Sequence, residues 1–216
     1  MPNGYPLIRV LKEGVENKGD IFVISGPSGA GKTTICQLLL KGVKNLVFSV
    51  SYTTRPPRPN ERDGVDYFFI SEDNFRSMID KGEFLEWAKV YGHYYGTSVS
   101  FVKEALEKGK DVLLDIDVKG ANNVKRLFPQ AVLIFILPPS LEALRQRLFQ
   151  RKTDTEDIIE KRIKFAKEEI KNCKSFDYIV INKDIKHALS ETLAIITATK
   201  ARRDKKWPYV KKTFHL

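Results

Sequence analysis

One loop strongly limits the folds open to this chain. Residues 26–33 read G-P-S-G-A-G-K-T, with the apolar run 21–24 before them and a helical pattern over 34–40 after them. Such a loop lets successive backbone N–H groups point at phosphate oxygens, with the positive end of the helix behind them. The order therefore predicts an α/β fold that binds a nucleoside triphosphate. The alternative is a glycine-rich turn that binds nothing.

Two side chains of this loop are expected to contact the triphosphate in addition to the backbone N–H groups. Lys32 is expected to reach the outer phosphates and Thr33 to ligate magnesium. The residues expected to contact ATP are those of the loop and the first helical turn: Gly26, Pro27, Ser28, Gly29, Ala30, Gly31, Lys32, Thr33 and Thr34. The loop does not say which molecule receives the phosphate.

Length and composition point to a cytoplasmic protein. The 216 residues suffice for one α/β domain with small insertions. No apolar run approaches the roughly 20 residues that span a bilayer, and residues 1–18 lack the apolar core of a secretion signal. Cys36 and Cys173 are expected to be reduced thiols without a disulfide.

The positive charge is concentrated at one end of the chain. The formal net charge is +10, and residues 200–216 hold seven lysines and arginines against one aspartate. The simplest interpretation is the solvated end of a helix. Contact with RNA or an acidic partner through Trp207, Tyr209 and the lysines is the alternative, and nucleic acid is not the expected partner.

Strands and helices alternate outside residues 51–97. Strands are predicted over 21–24, 46–51, 112–115, 132–137 and 178–181. Helices are predicted over 34–40, 98–108 and 185–203, and a further helix begins at a Ser140 cap. The charged stretch 151–174 that follows has apolar residues at roughly helical spacing.

Residues 51–97 have a different character. Short strands are predicted over 66–70, 84–90 and 93–97. Between them, a helix capped by Ser71 and ended by Gly82 is expected to bury Phe75, Met78 and Ile79. This region predicts a small β-rich insert.

An arginine pair begins the first of three side-chain clusters. Arg55 and Arg58 lie on a chain stiffened by three prolines, and could hold a dianionic phosphate together with the Tyr67 phenol. The alternative is an exposed basic loop with surface ion pairs to Glu61 and Asp63. Proteins with a parallel sheet bind ligands at the carboxyl ends of the strands. All three clusters are expected to lie at this edge of the sheet.

The second cluster contains a carboxylate among aromatic residues. Glu86, in E-F-L-E-W, could accept two adjacent N–H groups from one edge of guanine, and adenine lacks this pair. The Thr97 hydroxyl could serve the other edge. A site that leaves a buried group unpaired with the wrong ligand discriminates by roughly 10⁴. Alone, Glu86 would be an ordinary acid on a strand face.

The third cluster is basic, and consists of Arg145, Arg147, Arg151 and Arg162. Arginines on a mobile helix pair could surround a phosphate during transfer, which depends chiefly on positioning and charge neutralisation. The alternative is a set of solvated helix faces.

An ordered set of motifs resembles the guanylate kinase family, from about residue 20 to 198. The motifs are G-P-S-G-A-G-K-T-T at 26–34, S-Y-T-T-R-P-P-R at 51–58, D-Y-F-F at 66–69, E-F-L-E-W at 83–87, Y-Y-G-T at 94–97 and L-D-I-D at 114–117. The resemblance implies a P-loop NTPase-type parallel sheet flanked by helices, with a small β-rich insert for the monophosphate and a helical lid.

The resemblance also implies roles for individual residues. The GMP phosphate would be held by Arg55, Arg58, Tyr67 and Tyr95. Guanine would be contacted by Ser51, Glu86, Thr97 and Asp117. The lid arginines would be Arg147, Arg151 and Arg162, catalytic together with Lys32 and Arg58. Asn182 would lie at the adenine end of ATP, and Asp115 would steady the water shell of a magnesium ion on Thr33.

The implied reaction is direct in-line transfer of the γ-phosphate from magnesium-bound ATP to GMP, giving ADP and GDP, with dGMP as a second expected acceptor. The expected organisation is a leader over 1–18, a core over 19–50 and 98–203 with a lid near 145–170, a GMP-binding insert over 51–97, and a tail over 204–216. ATP and GMP are the expected partners, and the protein is expected to be a monomer or a small homo-oligomer. Lys119 departs from the glutamine that relatives often carry.

Three alternatives remain at this stage. A kinase for another phosphorylated acceptor, such as a ribose bisphosphate, would not need the base-reading residues. A binding module without activity would be expected to lack the loop lysine or the lid arginines, which this chain has. A nucleic-acid-binding ATPase rests on the basic tail alone.

Overall fold

The structure is a computed structural model that describes residues 19–90, 92–150 and 155–216. Its strands are β1 (Ile21–Ser25), β2 (Leu46–Phe48), β3 (Tyr52–Thr53), β4 (Phe68–Phe69), β5 (Phe84–Val90), β6 (His93–Ser98), β7 (Asp111–Asp115), β8 (Val132–Leu137) and β9 (Tyr178–Ile181). Its helices are α1 (Lys32–Gly42), α2 (Glu72–Asp80), α3 (Val99–Glu107), α4 (Val118–Leu127), α5 (Leu141–Gln150), α6 (Glu156–Lys171), α7 (Ile185–Ala201) and α8 (Arg203–Phe214).

Five strands form the larger sheet, in the order β2-β7-β1-β8-β9. The pairs at its two ends are parallel, with Leu46 opposite Asp111 and Ile134 opposite Tyr178. Strands β1, β7 and β8 are almost wholly buried. Strands covered on both faces lose the alternation of polar and apolar residues, which explains their continuous apolar runs. The predicted parallel sheet flanked by helices is confirmed.

The smaller sheet has the order β4-β3-β6-β5. Strands β5 and β6 form an antiparallel hairpin whose register shifts between Phe84 and Glu86. Helix α2 begins at the predicted cap, where the Ser71 side chain accepts a hydrogen bond from the Asn74 N–H. Its buried Phe75 stacks on Phe84 with the ring centroids 4.4 Å apart. The predicted β-rich region is therefore a sheet with its own aromatic core.

The chain divides into two compact units, and the boundary between them lies within β1. The first unit takes in the described residues up to Val23 and residues 45–132, and contains the smaller sheet with helices α2, α3 and α4. The second takes in residues 24–44 and 133–216, and contains the glycine-rich loop with helices α1 and α5 to α8. Within the second unit, α5 and α6 share a buried cluster of Leu144, Leu148, Ile159, Ile163 and Ala166.

Several sequence predictions need correction. The strand predicted over 46–51 ends at Phe48, because Tyr52 and Thr53 pair in the smaller sheet. Met78 and Ile79 are half-buried rather than buried. Helix α4 was not predicted, although Asp117 caps it by accepting from the Gly120 N–H.

The helix predicted over 185–203 is interrupted at Arg202, which has an extended backbone. The basic tail continues as a separate helix, α8, and none of its residues is buried. Cys36 is buried and Cys173 is half-buried, and neither forms a disulfide within the described part of the chain. Among residues 19–90, 92–150 and 155–216, no helix combines the length and apolar character needed to cross a membrane.

Candidate functional site

The glycine-rich loop depends on residues that lack a side chain. Gly26, Gly29 and Gly31 have φ angles of 136°, 96° and 98°, in a region that L residues with side chains rarely adopt. A Cβ on Gly26 would also overlap the Ile136 carbonyl oxygen, and one on Gly31 would overlap the Asn182 amide. The spacing of the motif therefore reflects both backbone conformation and close approach.

The Lys32 ammonium lies over this loop. Its Nζ donates to the Gly26 carbonyl oxygen at 2.7 Å and to that of Pro27 at 3.4 Å. Helix α1 starts at Lys32, its N-cap Gly31 gives no side-chain cap, and its first turn carries no acidic residue. The lysine and the positive end of the helix together make the loop a site for an anion.

Asn182 braces the loop from the end of β9. Its side-chain Nδ2 donates to the Ala30 carbonyl oxygen at 2.7 Å, and its backbone N–H donates to the Leu137 carbonyl oxygen at 2.7 Å. Its own backbone carbonyl accepts from Arg147 Nη2 at 2.8 Å. Only 4% of Asn182 is exposed. Asn182, which was predicted to lie at the adenine end of ATP, is therefore a structural support of the glycine-rich loop.

A cavity of about 410 Å³ lies beside this brace. Its lining is Gly29, Gly31, Thr34, Arg147, Gln150, Asn182 and Ile185. The volume falls in the range of small-molecule sites, roughly 300–1,000 Å³. The cavity is thus large enough for part of a nucleotide whose phosphates lie in the loop.

The four arginines of the third cluster fall into three groups. Arg147 of α5 contacts Asn182, and Arg162 Nη1 of α6 lies 3.5 Å from the Ser28 hydroxyl oxygen of the loop. Arg145 instead forms an ion pair with Glu160. Arg151 lies outside the described residues. The structure thus brings Arg147 and Arg162 to the loop region.

Within the first unit, a carboxylate already engages the arginine pair. Arg55 Nη2 donates to both oxygens of Glu61, at 2.8 and 2.9 Å. The Arg58 N–H donates to Glu61 Oε2 at 2.9 Å, while the Arg58 guanidinium is half exposed. The ion pair to Glu61 considered from the sequence is present. Asp63 instead accepts from the Phe69 N–H.

Two tyrosines lie next to Arg55. The Arg55 guanidinium carbon is 5.3 Å from the ring centroid of Tyr67, and the rings of Tyr67 and Tyr95 are 5.9 Å apart. Burial lowers the pKa of Arg55, but hydrogen bonds to Glu61 and Tyr95 outweigh it, and the net shift is upward. Burial first, and the nearby Asp115 carboxylate second, raise the pKa of Tyr67. Arg55 is therefore cationic and Tyr67 a neutral phenol at ordinary pH.

Glu86 is a buried carboxyl group on the hairpin. The register shift in β5 puts it opposite Thr97, whose hydroxyl donates to Glu86 Oε1 at 2.5 Å. Bulges next to functional sites commonly re-aim a side chain in this way. Glu86 is 6% exposed, and this burial, reinforced by the Asp117 carboxylate and opposed by the Thr97 bond, raises its pKa to about 7.

Asp117 and Ser51 complete the predicted base-contacting set. Asp117 is the N-cap of α4, where its Oδ1 accepts from the Gly120 N–H at 2.9 Å. Ser51 is buried directly before β3, and its carbonyl oxygen accepts from the Phe68 N–H at 2.9 Å. The structure thus brings Glu86, Thr97 and Asp117 together.

Two residues, Thr33 and Asp115, were predicted from the sequence to hold magnesium. Thr33 lies exposed in the first turn of α1, and Asp115 ends β7. Over the described part of the chain, no group of three or more His, Cys, Asp or Glu side chains could hold a metal. Each of the two side chains separately offers an oxygen of the kind that magnesium accepts, since this ion usually binds substrate phosphates and water with only one or two protein ligands.

Sequence reasoning considered Glu61 only as a surface ion-pair partner. Its position, three residues after Arg58 and six after Arg55, was the signal that it could reach both. The bracing contact of Asn182 has no local signal, because Ala30 is 152 residues away in sequence.

Comparisons with known proteins agree on one family. The family model for guanylate kinase matches residues 18–199. Proteins named guanylate kinase from Caldanaerobacter subterraneus subsp. tengcongensis and Carboxydothermus hydrogenoformans are each 52% identical to this chain. The first alignment covers 88% of this chain and 93% of the relative, and the second covers 86% and 91%.

A solved structure supports the same assignment. The crystal structure of guanylate kinase from Anaplasma phagocytophilum superposes with a TM-score of 0.77 at 31% sequence identity, covering 92% of this chain and 96% of that one. The profile, the relatives and the fold agree with the motifs and their geometry, and this chain belongs to the guanylate kinase family.

Proposed function

We propose that this chain transfers the γ-phosphate of ATP to GMP, the known reaction of its family, giving ADP and GDP. The observation that carries the proposal is the buried Glu86 carboxyl group, bonded to Thr97 and next to Asp117. A phosphate-binding kinase needs no such group unless it reads a base. The arginine pair of the same unit accounts for the acceptor phosphate.

The ATP phosphates bind to the glycine-rich loop in this proposal. The loop amides and the N-terminus of α1 receive the phosphate oxygens, and Lys32 exchanges its contacts with Gly26 and Pro27 for the outer phosphates. Thr34 and Asn182 line the cavity beside the loop, which suits the rest of the nucleotide.

The GMP phosphate takes over the place of the Glu61 carboxylate on Arg55. A carboxylate and a phosphate present similar oxygen pairs to a guanidinium, so the ion pair holds Arg55 in a conformation already suited to its ligand. Arg58, Tyr67 and Tyr95 add donors around the same phosphate. Because Tyr67 stays protonated, its phenol donates a hydrogen bond rather than repelling the anion.

Guanine binds with two N–H groups on the Glu86 carboxylate. Adenine presents a bare ring nitrogen at the same edge, so it would leave the buried carboxylate unpaired. Ser51, Thr97 and Asp117 contribute the remaining polar contacts. Guanine binding stabilises the ionised form of Glu86, and therefore lowers a pKa that burial raises.

Transfer proceeds by in-line attack of a GMP phosphate oxygen on the γ-phosphorus, with no covalent intermediate on the protein. The attacking oxygen is already anionic near neutral pH, so no side chain needs to act as a strong base. Lys32, Arg58, Arg147, Arg151 and Arg162 neutralise charge on the transferring group. Thr33, and Asp115 through a water molecule, would hold magnesium bound with ATP, and the ion would supply positive charge to offset that of the phosphates.

The remaining sequence predictions stay predictions. They include the leader over 1–18, the core over 19–50 and 98–203, the insert over 51–97, a cytoplasmic location and a monomer or small homo-oligomer. We propose that α8 is a solvated helix that binds no nucleic acid. Salt-dependent retention of the protein on RNA, lost when residues 204–216 are deleted, would contradict this.

A coupled assay for ADP formation tests the function. Purified protein is supplied with ATP and, in turn, GMP, dGMP, AMP, UMP or a ribose bisphosphate. The proposal predicts turnover with GMP and dGMP at a kcat/KM at least ~10³-fold above that with AMP or UMP. Turnover with the ribose bisphosphate but not GMP, or ATP hydrolysis that is indifferent to the acceptor, would contradict it.

A further inference from the structure

We propose that Gly120 is a positioning residue for base recognition, because its missing side chain leaves the space that the Glu86 carboxyl group occupies. A Cβ built on Gly120 would overlap Glu86 Oε2 and lie 3.1 Å from both Glu86 Cδ and Asp117 Oδ1. This inference rests on the proposed function, since it concerns how the guanine-reading carboxylate is held.

Space, rather than backbone conformation, explains the glycine at this position. Gly120 lies in the first turn of α4, where any L residue can adopt the backbone. Glycine inside a helix is less favourable than alanine. The Glu86 carboxyl group packed against Gly120 explains why this position has a residue that weakens the helix.

Neither neighbour can move aside easily. Glu86 is held by the Thr97 hydroxyl at 2.5 Å, in a hairpin position fixed by the register shift. Gly120 is held by the bond from its N–H to Asp117 Oδ1, which caps α4. An added methyl group would therefore shift the carboxylate or break one of these two bonds. A displacement of about 1 Å at a reacting or recognition group can lower activity by as much as 10²-fold.

The first test is the variant Gly120→Ala. Its KM for GMP is expected to rise about 10-fold or more, while its KM for ATP stays within about twofold, because the change acts on the acceptor site alone. The preference for GMP over IMP, which lacks the exocyclic amine, should also fall. The matched control is Gly42→Ala, since Gly42 is in helix α1 and a Cβ there meets nothing within 4 Å. This control should leave both KM values unchanged.

A second background separates positioning from damage to the helix. In the Glu86→Ala background the carboxyl group is gone, so adding Gly120→Ala should change KM for GMP by less than about twofold, and should raise the melting temperature because alanine favours the helix. If Gly120→Ala alone does not fold, the double variant should fold again.

Three outcomes would overturn the inference. They are an unchanged KM for GMP in Gly120→Ala, an equal rise in both backgrounds, and a double variant that also fails to fold. A wild-type protein that does not phosphorylate GMP would instead contradict the proposed function, and the two failures are therefore distinguishable.

Discussion

The two regions proposed to bind nucleotides, an ATP region in the second unit and a GMP region in the first, are built by different means. In the ATP region, glycines with positive φ, a helix N-terminus and the Asn182 brace shape a loop of backbone. In the GMP region, side chains hold one another, with Glu61 on Arg55 and Thr97 on Glu86. We propose that the first region selects phosphate and tolerates variation in the rest of its ligand, whereas the buried acid of the second is satisfied only by the right base.

The difference has an energetic consequence. A backbone loop binds an anion with groups that are neutral when no ligand is present. A buried carboxyl group has an unfavourable ionised form until it is paired. The GMP region should therefore respond strongly to pH, and the cation of the ATP region whose loss should matter most is Lys32, which lies directly over the loop.

The largest expected effect comes from that side chain. Lys32→Ala should lower kcat by about 10³-fold or more, because it removes the positive charge nearest the transferring phosphate. The control is Lys41→Ala, which removes a charge from the last turn of the same helix. A single-turnover measurement of phosphate transfer distinguishes the two variants. A Lys32→Ala rate within tenfold of wild type would mean that the loop backbone suffices.

The stability of the free protein tests the buried acid. With a folded-state pKa of about 7, Glu86 keeps a proton that the unfolded chain releases between about pH 4.5 and pH 7. Stability is therefore lost as the pH rises through this window. Relative to Glu86→Gln, wild type should lose about 2–3 kcal/mol between pH 5 and pH 8. Urea unfolding of both proteins without nucleotide at these two pH values measures the difference. Parallel pH dependences would contradict the raised pKa.

The affinity for GMP should follow the same ionisation. The carboxylate form accepts guanine, so KM for GMP should rise about 10-fold as the pH falls from 8 to 6. The second ionisation of the GMP phosphate, with a pKa of about 6, also contributes in this range. The variant Glu86→Gln keeps the pH dependence that comes from the GMP phosphate and loses the part that comes from the carboxyl group. Its KM for GMP should therefore change less with pH. If KM for GMP depended on pH in the same way in wild type and Glu86→Gln, the assignment of Glu86 to the guanine site would be contradicted.

The same contrast governs what could be predicted from the sequence. The loop was predictable because fixed spacing and positive-φ glycines leave a local trace, as do the Ser71 and Ser140 helix caps. Asp117 was named as a contact, but the helix α4 that it caps was missed. The Ala30–Asn182 bond and the contact of Gly120 with Glu86 each involve residues that are distant in the chain. No local sequence pattern predicts contacts of this kind.

The most direct test of guanine recognition by Glu86 compares GMP and AMP as acceptors for wild type and Glu86→Gln. Glutamine keeps the shape of the side chain but offers one acceptor oxygen and one donor amide, which would face an N–H of guanine. The ratio of kcat/KM for GMP to that for AMP should therefore fall by about 10²-fold or more. KM for ATP should stay within about twofold, because the substitution lies in the other region. An unchanged ratio would contradict the assignment of Glu86 as the group that recognises guanine.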